Sequence, residues 1–157
     1  HMGWMFQPIP AMNAVPRLSG DLHKDFYYRW LNKNFLLLQI PLGAMLFFIG
    51  EISGINGWGM VLWGIFVRLV LVYHVTWLVN SATHCWGKVV YKCGDSSRNN
   101  AWVAALTFGE GWHNNHHAFP NSALQGLQKG QIDLTWQHIR LLRALGLATK
   151  IRLPAAY

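Results

Sequence analysis

From Trp58 to Val79 the chain is apolar almost without a break, interrupted only by Arg68, His74 and small polar residues. A helix that crosses the hydrocarbon core of a bilayer needs about 20 mostly apolar residues, and this stretch is long enough to do so alone. A second apolar stretch, Phe35 to Ile49 (FLLLQIPLGAMLFFI), is short for a span and needs extension, on to about Ile52 or back towards Trp30. Glu51 to Gly57, rich in Gly and Ser, reads as a short turn between the two. The expectation is an all-α chain with a transmembrane helical hairpin, its helices at about 35–52 and 58–79.

Composition agrees with that reading. Only 12% of the 157 residues are charged, against about a quarter in soluble domains. Nine tryptophans suit the membrane–water interface, where Trp is enriched. The net charge of +7 comes with no nucleic-acid recognition motif, so a nucleic-acid partner is not expected. Basic residues beside apolar spans face anionic lipid headgroups instead. Arg17, Lys24, Arg29 and Lys33 precede the first span, eight Lys and Arg follow the second, and the turn between has none. By the positive-inside rule both flanks are cytoplasmic and the turn faces away. Arg68, inside the second span, reads as snorkelling to the far interface rather than lining a polar path.

Beyond the hairpin the chain is too polar to cross again. Asp133 to Leu145 (DLTWQHIRLLRAL) has helical periodicity, with Leu134, Leu141, Leu142 and Leu145 on one face, Asp133 as N-cap and Gly146 as stop. Such a helix fits a cytoplasmic cap or lies on the bilayer surface. Cys85 and Cys93 are too few for a disulfide framework and read as free thiols.

The chemistry concentrates in Gly109 to Pro120, GEGWHNNHHAFP. On a helix, His113, His116 and His117 stand at i, i+3 and i+4, so their rings share one side. Imidazole binds iron, zinc and copper well, and three clustered histidines point to a metal site. Glu110, one turn before His113, is placed to accept a ring N–H or approach the metal; metal-bound histidines commonly have such a partner. Gly109 and Gly111 allow close backbone approach at the turn. A second constellation, Thr76 to His84 (TWLVNSATH), ends the long apolar span. Asn80 and His84 lie four apart, on one helix face, where the helix leaves the hydrocarbon. Polar groups at that depth are functional by default, so a ligand role is expected.

TWLVNSATH, GEGWHNNHHAFP, QIDLTW and LGLA together resemble the C-terminal half of membrane fatty-acyl desaturases, of the Δ9 type found in the cyanobacterial and plastid branch. The resemblance covers nearly the whole chain from His1-Met2-Gly3-Trp4, similar to the segment that follows the family's second histidine box, which favours a truncated reading frame over a cloning residue at His1. It implies one desaturase domain over residues 1–157, with the cytoplasmic cap at about 80–157 and a fold of four transmembrane helices, multi-pass, its active site on the cytoplasmic side. It also implies two irons, with His84, His113, His116 and His117 as ligands, Asn80 holding a water on one iron, and Trp77 bordering the acyl tunnel. The implied reaction uses O₂ and two electrons, from a ferredoxin or cytochrome b5-type donor, to place a cis double bond in a saturated acyl chain carried as acyl-CoA or acyl-lipid.

The sequence departs from the family's pattern in two places. The first two histidine boxes are absent, so the chain alone is expected to be inactive. Leu124 to Gln131 (LQGLQKGQ) replaces an arginine and a tryptophan pair. His1, His23, His74 and His138 match no ligand position; His74 is placed to line the acyl path or simply to hydrogen-bond within the membrane, and His23 and His138 read as solvent-facing. Two other functions share some of these features. A histidine-box hydroxylase of alkyl, sterol or carotenoid substrates usually lacks the joined NSxxH and GEGxHNxHH motifs. A non-enzymatic membrane protein with histidine-bound zinc would show zinc at one per chain.

Overall fold

The computed structural model describes residues 2–6 and 20–154. Arg17 of the basic flank and His1 lie outside them. The described residues are helical with no strand, and the few β contacts are isolated bridges of Asn99 to Lys88 and to Trp112. The described residues divide into two compact units, with the boundary between Val72 and Tyr73.

In the first unit, α1 (Gly20–Lys24) and α2 (Phe26–Asn34) precede α3 (Gln39–Ile52). The expected extension of the first apolar stretch back to Trp30 does not form a straight helix. α2 and α3 are bent by 68° at the break between them. Pro41 supplies a reason: it has no N–H for the carbonyl of Leu37, and proline is tolerated in a helix only in its first turn. The chain therefore restarts at Gln39, with Gln39 and Ile40 donating to Leu36 and Leu37 in tight i+3 bonds.

α4 (Gly57–Cys85) is long and apolar enough to cross a membrane, and the bent α2–α3 pair counts as a second candidate only if taken as one span. It runs six residues past the expected end at Val79, which keeps Asn80 and His84 helical. A π-helical stretch, Leu62–Val67, interrupts it. Asn56 caps its start by accepting from the Gly59 N–H at 3.0 Å, and Glu51 accepts from the Gly57 N–H at 2.8 Å. Arg68 donates back to the Gly64 carbonyl at 2.7 Å. Leu62, Trp63, Phe66, Val70 and Leu71 all stay exposed. Such a surface is stable in lipid and costly in water.

α3 packs against the start of α4 along glycines seven residues apart, Gly43 and Gly50 on one side and Gly57 and Gly64 on the other. A Cβ at Gly50 would lie 2.6 Å from the Gly57 Cα, and one at Gly57 would lie 2.7 Å from the Phe47 carbonyl. Small residues of this kind let backbones approach where the hydrophobic effect drives no association.

The second unit holds Tyr73–Cys85 of α4, then α5 (Ala101–Leu106), α6 (His113–Ala118) and α7 (Leu134–Ala144). Its small core is Val79, Ala82 and Val103. Asn100 caps α5 through the Val103 N–H, and its own N–H donates to the Gly111 carbonyl at 2.8 Å. α7 begins on Asp133, which accepts from the Trp136 N–H, and ends at Gly146 with φ +72°, both as the sequence predicts. Ile132, Leu141, Leu145 and Leu147 are exposed on and around it.

Candidate metal centre

The turn before α6 delivers the histidines. Phe108 and Gly109 both have positive φ, and a Cβ at Gly111 would collide with the Ala104 backbone nitrogen at 2.1 Å, so only glycine fits there. Gly109 is equally confined, against the Asp133 carboxylate at 2.6 Å. Close approach at these two positions is what the sequence leads one to expect, and it presses the start of α6 onto α5.

α6 is only six residues long, and its geometry comes from tertiary bonds rather than from helix propensity. Asn114 and Asn115, both 1% exposed, supply most of them. Asn114 Oδ1 accepts from the Val90 and Tyr91 N–H groups, each at 2.7 Å, while its Nδ2 donates to the Tyr91 carbonyl at 2.9 Å and Ser97 Oγ at 3.2 Å. Asn115 Nδ2 donates to the Gln125 carbonyl at 2.6 Å and Gln131 Oε1 at 2.8 Å, and its Oδ1 accepts from Asn99 Nδ2 at 2.6 Å. A buried amide with every donor and acceptor matched fixes its helix in place.

Three ring nitrogens then converge. Nε2 of His113 lies 2.9 Å from Nε2 of His117 and 3.1 Å from Nε2 of His84, and ligand atoms of all three fall within 4.8 Å of one another. Two nitrogens bound at about 2.1 Å to one ion at right angles stand about 3 Å apart, so these separations suit neighbouring positions around a metal. Burial pushes His113 down to about 3, with His117, His84 and His116 adding to the effect. It is therefore neutral near pH 7, the form that presents a lone pair to a metal.

The sequence singles out His84, His113, His116 and His117 as candidate ligands. The structure brings together His84, His113 and His117. Successive helical residues turn by about 100°, so His116 and His117 diverge and address different points. The His116 ring lies 5.9 Å from that of His113, and its Nδ1 is buried without a hydrogen-bond partner. Glu110 sits in the turn before α6, and its Oε2 accepts from Gln125 Nε2 at 3.3 Å. The acid at the histidines is Asp95, whose Oδ2 lies 2.5 Å from Nδ1 of His117. Ser96 Oγ lies 3.1 Å from Nδ1 of His84. The sequence carries no short-range sign of either contact. The two asparagines inside HNNHH were the one available hint of the network.

Asn80 lies exposed on α4, one turn before His84. Trp77 stacks on Tyr73 with ring centres 5.7 Å apart and meets His74 edge-on at 5.2 Å. His23 is exposed, and His138 is exposed with Nδ1 at 2.8 Å from the Leu134 carbonyl.

The sequence model of the family described as fatty acid desaturase matches residues 2–148, from before the first apolar stretch to the end of α7. The chain belongs to the fatty acid desaturase family. It is 53% identical over 98% of its length to the sn-1 stearoyl-lipid 9-desaturase of Synechocystis and 50% identical over 98% to that of Anabaena variabilis. It is 48% identical over 99% of its length to the chloroplastic palmitoyl-monogalactosyldiacylglycerol delta-7 desaturase of Arabidopsis thaliana. These matches cover 46%, 54% and 41% of the respective proteins, so this desaturase chain spans about half the length of the curated relatives it matches.

Proposed function

We propose that this chain supplies the cap and one helical hairpin of an acyl-lipid desaturase that places a cis double bond at C9 of a saturated acyl chain. The observation that carries this reading is the convergence of the His84, His113 and His117 Nε2 atoms from two separate segments, in a chain of the desaturase family. The lipid carrier and the C9 position follow the Synechocystis and Anabaena relatives, each named as a stearoyl-lipid 9-desaturase.

Under this reading His84, His113 and His117 would hold iron, and His116, turned to a different point on α6, would serve as a further ligand. Asn80, one turn below His84, holds a water there. Iron bound to these nitrogens supplies the activation of O₂ that protein side chains alone cannot perform. O₂, two electrons and two protons, with two hydrogens from adjacent methylenes, become two waters, and the carbon–carbon single bond becomes a cis double bond. The electrons come from a ferredoxin or cytochrome b5-type donor. The protein's part is placement, because proximity and orientation set which methylene reacts. Trp77, stacked on Tyr73, borders the acyl chain, and neutral His113 keeps its lone pair for the metal. The hairpin is α3 with α4, both flanks cytoplasmic, in a multi-pass membrane protein of four spans. Four histidines and one water-bearing asparagine leave the coordination of two irons incomplete, so the remaining ligands and helices lie outside this chain.

A chimera tests the reading. This chain is joined to the portion of the Synechocystis relative that it does not match, and expressed with ferredoxin in cells lacking Δ9 activity. New monounsaturated lipid with its double bond at C9 is expected, and none from the chain alone. An iron-loaded, membrane-inserted chimera that makes no unsaturated product overturns the proposal.

A further inference from the structure

The turn Asp95-Ser96-Ser97 touches the histidine cluster with two consecutive side chains and its neighbour Asn114 with a third. Asp95 Oδ2 meets His117 Nδ1 at 2.5 Å, and Ser96 Oγ meets His84 Nδ1 at 3.1 Å. Ser97, fully buried, accepts through Oγ from Nδ2 of Asn114 at 3.2 Å, and Asn114 is the neighbour of His113. One short turn is thus bonded to two of the three converging rings and bolted beside the third. We propose that this turn is the positioning element of the metal centre, Asp95 and Ser96 selecting which nitrogen of His117 and His84 faces the metal. The proposal rests on the metal-binding reading of these histidines.

A neutral imidazole carries one N–H and one lone pair. If Nδ1 holds the proton, Nε2 is left bare. Both rings direct Nε2 into the cluster and Nδ1 outward, so an acceptor at each Nδ1 enforces the metal-binding tautomer. Second-shell partners of this kind typically change metal affinity or activity by about 10- to 100-fold. The two partners are unequal. Asp95 presents a carboxylate, which can only accept, and its Oδ2 lies 2.5 Å from Nδ1 of His117. A serine hydroxyl either donates or accepts, so Ser96 holds His84 with a weaker preference. Asp95 therefore has the larger role.

Both Asp95 oxygens are committed. Oδ1 accepts from the Ser97 N–H at 2.8 Å, and Oδ2 faces His117. An asparagine has one accepting and one donating end. With its oxygen kept on Ser97, its NH₂ would face Nδ1 of His117 and force the proton onto Nε2, where the metal binds. The reverse orientation would set two donors against each other at Ser97. Asp95→Asn is thus predicted to be more harmful than Asp95→Ala, which leaves His117 free to choose its tautomer with water beside it. A purely structural role predicts the opposite order, since asparagine is the closer isostere.

The experiment is Co²⁺ titration of the full 157-residue chain in detergent micelles, read by visible absorption, with circular dichroism to match folding. Relative to the parent, Asp95→Ala is expected to bind about 10- to 100-fold more weakly, Asp95→Asn more weakly still, and Asp95→Glu between Asp95→Ala and the parent. Parental affinity in Asp95→Asn, or an Asn variant milder than the Ala variant, overturns the proposal. If the parent shows no Co²⁺ spectrum, the metal reading falls and this one with it; parental binding with unaffected Asp95 variants overturns this one alone. Should Asp95→Asn fail to fold, Ser96→Ala decides: several-fold weaker binding supports the proposal, and unchanged binding overturns it.

Discussion

Asn115 donates through Nδ2 to the side-chain oxygen of Gln131 at 2.8 Å, tying the loop of residues 124–131 to the helix that carries the histidines. Gln131 also accepts there from the Gln128 N–H at 2.9 Å. The loop is thus anchored to the histidine helix by a glutamine of its own.

The first prediction follows from that anchor. Asn115→Leu would keep the side-chain volume but strand the Asn99 amide and the Gln125 carbonyl, and leave the Gln131 oxygen with only the Gln128 N–H. Each buried group left unpaired costs about 1–3 kcal/mol, and water reaches some of them, so a total loss of about 3 kcal/mol is expected. Thermal unfolding of the detergent-solubilised chain should show Tm fall by at least about 5 °C. A variant melting with the parent would mean the network contributes little.

Much of this was open to the sequence. Hydropathy located α4, because an unbroken apolar run in that composition has few alternatives. Asp133 and Gly146 bounded α7 through ordinary capping chemistry. The break before α3 was missed because its cause, Pro41, lies inside an apolar run whose hydropathy it does not lower. The grouping of His84 with His113 and His117, rather than His116, depends on where a distant helix presents its ring, and i+3 and i+4 spacing alone do not decide that. Asp95 and Ser96 were missed for the same reason. Their contacts arise from the fold of residues 86–100, which has little regular structure to give it a pattern.

Single histidine replacements separate the positions. In the chimera, His84→Ala, His113→Ala and His117→Ala should abolish desaturation and lower iron per protein, whereas His23→Ala and His138→Ala stay within a few-fold of the parent. His116→Ala should also abolish desaturation. Yet Co²⁺ binding by the chain alone should survive it nearly unchanged, because its ring lies outside the three-nitrogen group. Loss of Co²⁺ binding in His116→Ala would show that the four rings act as one site.

The low pKa of His113, about 3, sets a pH dependence. The unfolded chain takes up this proton near pH 6.5, whereas the folded chain resists it until about pH 3. Stability from this group is therefore complete above about pH 6.5 and declines as pH falls towards 3. In urea unfolding of the metal-free chain from pH 7 to pH 4.5, the midpoint should drop more steeply for the parent than for His113→Gln. Parallel slopes would remove His113 as the source.

Topology is open to labelling. With Cys85 and Cys93 replaced by serine, a cysteine is placed at position 53 in the turn between α3 and α4; Gly54, at φ +71°, is a poorer site for a side chain. A reagent confined to the cytoplasmic side should leave Ser53→Cys unmodified and label Lys92→Cys. Modification of the position-53 cysteine would reverse the proposed orientation.

The glycine seam between α3 and α4 gives a graded series. Alanine at an exposed helix position is favoured over glycine by about 1 kcal/mol, so Gly→Ala should help wherever the added methyl finds room. At Gly43 the nearest atom is the Ile65 Cδ1 at 3.4 Å, an ordinary contact with a mobile side-chain end. Gly43→Ala should be neutral or slightly stabilising. At Gly64 the methyl would meet Leu46 Cδ1 at 2.7 Å; a leucine can change rotamer, at a cost of order 0.5–1.5 kcal/mol, which roughly cancels the gain. At Gly50 and Gly57 the obstacles are backbone atoms, the Gly57 Cα at 2.6 Å and the Phe47 carbonyl at 2.7 Å, and backbone yields only if the helices separate. Those two variants should lose about 1–3 kcal/mol, the usual range for overpacking. The order of thermal stability should be Gly43→Ala, then Gly64→Ala, then Gly50→Ala and Gly57→Ala together. Gly50→Ala and Gly57→Ala combined should cost less than the sum of the singles, because the first methyl already parts the backbones that the second would meet. Additive losses would mean that the two glycines do not share one contact.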